Sequence, residues 1–170
     1  MSLNSSMSRS WRAAIAGALI LGTSCTPSRP ALTIESAVSS LQVNNTAHWS
    51  VRVENITDLT AYEAHLSFDP NVLEVTELID GGFIQPDFVV QNTFDNAAGT
   101  VDYAVAQINR PPANGDGTLF EIVFRAKTPG QSTIRFREMP AAPTGAILAD
   151  PAGIAIQVSL TAGDVSVSGP

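Results

Sequence analysis

From Leu32 onward, apolar and polar residues alternate with period two, in short runs broken by Gly, Pro, Asn and Asp. In Val51-Arg52-Val53-Glu54-Asn55-Ile56 the alternation places one face of a strand in a core, with Trp49, Val51 and Val53 pointing inward. Asn55, Thr57 and Asp58 then supply turn chemistry. In the next strand Tyr62, Ala64, Leu66 and Phe68 point one way, and Glu63, His65 and Ser67 the other. Pro70 has no N–H for a ladder, so the chain leaves the sheet at Phe68-Asp69-Pro70-Asn71. In the strand after that turn, Leu73, Val75 and Glu77 share a face opposite Val72, Glu74, Thr76 and Leu78.

The same pattern predicts a first strand at Leu32–Glu35 and a turn region from Val38 to Asn45. Further strands follow at Phe88–Phe94, Thr100–Ala106, Thr118–Ala126 and Ser132–Arg137. Val101, Tyr103 and Val105 share one face of the second of these. Asp95 to Gly99 is a turn, Asn109 to Asp116 a loop and Met139 to Gly145 a Pro/Gly/Ala-rich loop. Ile154–Leu160 and Asp164–Val167 finish the chain as strands or one bent pair. No segment sustains a helical period. The expected fold is all-β, an antiparallel β-sandwich in a single domain.

The formal net charge of -7 argues against nucleic acid and anionic membrane as partners. One cysteine, Cys25, excludes an internal disulfide. Residues 1–24 read as an export signal: Arg9 and Arg12 precede the apolar run Ala13 to Leu21, which is too short to span a bilayer. Gly22-Thr23-Ser24-Cys25 resembles a bacterial lipobox, which would make Cys25 the lipidated first residue of the mature chain; the alternatives are ordinary cleavage near Ser24 and an uncleaved anchor. Residues 25–31 form a short tether and 32–168 the folded domain. The expected location is outside the cytoplasm, as a membrane-anchored lipoprotein at the cell surface or a secreted protein. Membrane contact would come only through the lipid.

Enzyme readings find little footing. The chain has two histidines and lacks G-x-S-x-G, H-E-x-x-H and a phosphate-binding glycine loop. No cofactor or metal ligand set stands out. His65 and Glu63 read as an exposed surface pair, and Asn114-Gly115-Asp116-Gly117 as a hairpin turn without the spaced acids of a calcium loop. Trp49 reads as a core anchor, and alternation turns Tyr62 and Tyr103 inward, away from any platform for stacking on sugars.

The run Glu54 to Leu78, ENITDLTAYEAHLSFDPNVLEVTEL, resembles the opening of a cohesin domain. Gly81-Gly82-Phe83, Asp95-Asn96-Ala97-Ala98-Gly99, Gly117-Thr118-Leu119, Pro129-Gly130-Gln131 and Gly163-Asp164-Val165-Ser166-Val167 resemble later landmarks of that family, in its order. The resemblance implies a nine-stranded jelly-roll sandwich, a fold shared with some cellulose-binding modules. It implies a non-catalytic module that docks a dockerin-containing protein, with calcium on that partner rather than on this chain. The family's docking strands correspond to Ala61–Phe68 and Val101–Ile108. Their outward positions are Ala61, Glu63, His65 and Ser67, with Asp102, Ala104 and Ala106. Glu63 stands where the family often carries a partner-contacting acid; Ala61 stands where it often carries a polar residue. Two alternatives remain open: a carbohydrate-binding module for polysaccharide, and an adhesive envelope domain without a dockerin partner.

Overall fold

The computed structural model describes residues 28–169; the leader, Cys25 and the start of the tether lie outside the described residues. In chain order the strands are β1 (Ala31–Glu35), β2 (Ser40–Gln42), β3 (Thr46–Leu59), β4 (Ala61–Ser67), β5 (Leu73–Asp80), β6 (Phe88–Asp95), β7 (Thr100–Ala106), β8 (Ala113–Ala126), β9 (Gly130–Phe136), β10 (Ala146–Ala149), β11 (Ser159–Thr161) and β12 (Gly163–Ser168). One sheet has the order β11-β1-β3-β8-β5; the other has the order β2-β12-β9-β4-β7-β6, with β10 also paired to β4. The two stack face to face as a sandwich.

The expected nine strands become twelve because three short ones join them: β2, β10 and β11, of 3, 4 and 3 residues. β2 falls inside the expected Val38–Asn45 turn region. Two of the added pairings, β1 with β11 and β2 with β12, are parallel, so the sandwich is antiparallel except where its two chain ends meet. Ile154–Leu160 is not a continuous strand; it contributes an isolated bridge at Ala155 before β11 begins.

The expected turn at Asn55–Asp58 is also corrected. β3 runs through it, with Asn55 and Asp58 at φ 53° and 56° and register shifts against β8. Asn and Asp tolerate this left-handed conformation better than other non-glycine residues. The expected hairpin turn at Asn114–Gly117 lies within β8 and stabilises those irregularities: Asp116 Oδ1 accepts from the Asn55 N–H at 2.6 Å, and Asn114 Oδ1 from the Asp58 N–H at 3.0 Å. Thr60 is the corner at which the chain passes from one sheet to the other. A bulge between Val75 and Glu77 likewise reverses the alternation expected in β5, leaving Glu77 exposed and Leu78 half-buried.

The inner faces meet in an aliphatic and aromatic core. Tyr103 stacks on Phe120 with ring centroids 4.4 Å apart, and Tyr62 on Tyr103 at 6.1 Å. The Tyr62 hydroxyl donates to the Leu119 carbonyl at 2.7 Å. Burial pushes the phenol pKa of both tyrosines upward, Tyr62 more strongly. Trp49 is buried as well. The three aromatics that a sugar platform would need are thus core residues, Trp49 as the expected anchor and the tyrosines on the expected inward face.

Candidate functional site

β4 and β7 lie side by side in the middle of the larger sheet. Their register sets Ala61 opposite Ala106, Glu63 opposite Ala104, and His65 opposite Asp102, with Ser67 opposite Thr100. Directly opposed residues share a face. The seven outward positions expected from the sequence therefore form one contiguous patch on the outside of this sheet. Ala61, Glu63, Ser67, Asp102 and Ala106 are half-buried there.

Two of the seven depart from an exposed surface. Ala104 is 6% exposed. His65, expected in an exposed pair with Glu63, is 3% exposed. Its Nε2 lies 2.5 Å from Glu63 Oε1 and its Nδ1 2.5 Å from Asp102 Oδ1. Arg137 Nη2 donates to the same Asp102 oxygen at 2.7 Å. The ring thus lies between two carboxylates.

At the other end the patch is apolar. Ala61, Ala104 and Ala106 floor a slot of 180 Å³ walled by Val90 of β6 and Ile147 of β10, with Glu63 on its rim. Three adjacent alanines leave room where longer side chains would fill the surface. Val90 is 71% exposed, and Phe88, opposite Ala106, is exposed beside it. Every residue of β6 is exposed, including Val89 and Phe94. Exposed apolar side chains concentrated in this way are characteristic of interaction surfaces in general.

The slot's surroundings are pinned. Asp87 Oδ2 accepts from the N–H groups of Ile108 and Asn109 at 2.8 and 3.2 Å, which holds its carboxyl below the usual range. The buried Gln107 donates to the Pro111 carbonyl and accepts from the Gln85 N–H. The excursion between β9 and β10 is closed at its neck: the Arg137 N–H donates to His65 O, and the His65 N–H to Gly145 O, each at 2.8 Å. Gly145 has φ 85°, and a Cβ there would meet the Arg137 nitrogen at 2.6 Å.

Sequence reasoning missed Phe88, Val90, Arg137 and Ile147. Phe88 and Val90 were legible as strand residues, but their face was not, because the register shift between Val89 and Gln91 breaks the alternation. Ile147 lies in a four-residue strand that follows a long excursion, and Arg137 reaches Asp102 because β9 ends beside β4, with Phe136 opposite Leu66. Among the described residues, no group of three or more His, Cys, Asp or Glu side chains is arranged to hold a metal ion.

The cohesin domain family model matches residues 30–162. This chain belongs to the cohesin family. The match runs from β1 through β11. A type II cohesin domain from the cellulosome of Acetivibrio cellulolyticus superposes with a TM-score of 0.70 at 20% identity, over 81% of this chain and 95% of that one. A non-cellulosomal cohesin from the archaeon Archaeoglobus fulgidus gives 0.65 at 19% identity, over 83% and 92%. A type I cohesin–dockerin complex from Clostridium thermocellum gives 0.69 at 16% identity, over 83% of this cohesin and 100% of the matched chain. At these identities the likeness shows the fold. No curated protein matches the sequence.

Proposed function

We propose that this cohesin domain is a non-catalytic docking module that captures a dockerin-bearing secreted protein on the outer face of β4, β7, β6 and β10. The observation that carries the reading is the pairing, on one flat sheet face, of an open apolar slot with a half-buried acid pair, Glu63 and Asp102. Stable interfaces bury roughly 800 Å² on each partner around a few anchors set in pockets. The slot suits an aliphatic anchor; the acids suit a neighbouring basic side chain. Membership of the family, and the occurrence of solved relatives in cohesin–dockerin complexes, support a dockerin as the partner. The calcium of the assembly belongs to that partner.

Export by the residue 1–24 leader, followed by lipidation at Cys25, would hold the domain at the cell surface on the tether of residues 25–31. There it would position captured proteins, and polysaccharide degradation is the setting that the family suggests. The test is capture from the source organism's secreted proteins, with the full chain as bait, in calcium and then in a chelator. A captured protein carrying paired calcium-binding loops, lost in chelator, is the expected result. No calcium-dependent capture, alongside binding to insoluble polysaccharide, would replace this reading with the carbohydrate-binding one.

A further inference from the structure

The charged end of the face holds an arrangement that docking alone does not require. His65 is opposite Asp102 across the β4–β7 ladder and two residues from Glu63 on its own strand. A carboxylate oxygen lies 2.5 Å from each ring nitrogen. A neutral imidazole has a single N–H; only the imidazolium donates from both nitrogens. When the ring is neutral, one nitrogen turns a lone pair toward a carboxylate, and that carboxylate has to move. The two carboxylates are not equivalent. Asp102 is also held by Arg137. Glu63 has no other hydrogen-bond partner among the described residues, and its side chain is 35% exposed against 23% for Asp102. β10 brings Ala146 and Ile147 alongside β4 and no charge. β9 puts Arg135 opposite Ser67 on the same face, donating to its Oγ at 3.4 Å. The titratable or charged groups around the ring are therefore Glu63, Asp102, Arg137 through Asp102, and Arg135 beyond Ser67.

We propose that His65 is a positioning residue that clamps Glu63 against the sheet when charged and releases it when neutral, so that the face offers a free carboxylate to a partner's basic side chain as pH rises. The proposal rests on the docking reading of this face. Charge acts in the same direction. Two carboxylates balance the imidazolium and the Arg137 guanidinium, and loss of the ring proton leaves one negative charge in excess. That charge stands beside an apolar slot, where screening by water is weaker than in bulk. The recognised chemistry is a guanidinium or an ammonium group.

The test uses the full chain, labelled with ¹³C and ¹⁵N, and methylguanidinium chloride as probe at fixed ionic strength. Imidazole and carboxyl signals are followed across the whole pH range in which the domain stays folded. At the acid end both His65 nitrogens are expected to carry protons. The Glu63 carboxyl signal should move with the same midpoint as His65, and methylguanidinium should shift it several-fold more at the alkaline end. In His65→Gln, which cannot gain charge, that pH step disappears. In Glu63→Gln the probe response is lost while His65 still titrates. A neutral His65 tautomer throughout, a Glu63 signal that ignores His65, or a pH step that survives in His65→Gln would overturn the proposal. If His65→Gln fails to fold, the wild type and Glu63→Gln decide the matter. Failure to capture a dockerin would sink the docking reading and leave these titrations unchanged.

Discussion

Ala104 sits where a larger side chain would close the slot, and the functional argument is most exposed to test at that residue. Ala104→Leu should fill the floor from the outer face without touching the core. Partner affinity is expected to fall at least about tenfold, which is about 1.4 kcal/mol, with the denaturant midpoint of the free domain nearly unchanged. Unaltered affinity would remove the slot from the interface. Gly145 tests the neck of the excursion that leaves at Arg137 and brings β10 to the site. Gly145→Ala forces a Cβ against the Arg137 backbone at positive φ, and should cost about 1–3 kcal/mol by chemical denaturation. A change within about 0.5 kcal/mol would show that the neck relaxes freely. Much of the site was legible in the sequence at this scale: period-two alternation and the Asp69-Pro70 turn set the faces of Ala61, Glu63, Ser67, Asp102, Ala104 and Ala106. The burial of His65 was not legible, because it depends on Asp102 and Arg137, which lie far away in the chain and meet it only in the sheet.

Among the elements, the β6–β7 turn shows how local chemistry fixes an edge. Asp95 Oδ1 accepts from the Ala97 and Ala98 N–H groups at 2.7 and 3.0 Å. Those bonds, the Ala98 one foremost, hold its carboxyl below the ordinary value of 3.8. A depressed folded value means stability that is fully present above the unfolded value and lost as pH falls through it toward the folded one. Asp95→Asn keeps an acceptor but removes the charge. Its denaturant midpoint should lie below that of wild type at neutral pH, and the gap should close on acidification to about pH 2. A gap that stays constant with pH would contradict the charge argument. β6 itself is exposed along its length, so Val90→Lys should change stability by no more than about 0.5 kcal/mol while weakening capture. Strand existence was readable for β6, as for most elements, because alternation and turn residues are local signals. The bulges in β3, β5 and β6 were not, because a single extra residue in a ladder is decided by the partner strand. Asn114 and Asp116 are the example: they read as a turn, yet their side chains hold the irregular end of β3 in register.

For the whole molecule, the long β3 and β8 form the centre of one sheet, β4 and β7 the centre of the other, and the proposed docking face lies on the outside of the second. The opposite outer face carries polar pairs instead, including His48 hydrogen-bonded to Glu121 and the ion pair of Arg125 with Glu74. Docking on one face and not the other is the central claim. The most direct measurement is capture of the calcium-loaded dockerin partner by the wild type, by Ala61→Arg on the slot, and by His48→Ala on the opposite sheet, each first shown to have a wild-type unfolding midpoint. The account predicts that Ala61→Arg abolishes capture and His48→Ala leaves it intact. Capture that survives Ala61→Arg, or is lost with His48→Ala, would place the interface elsewhere.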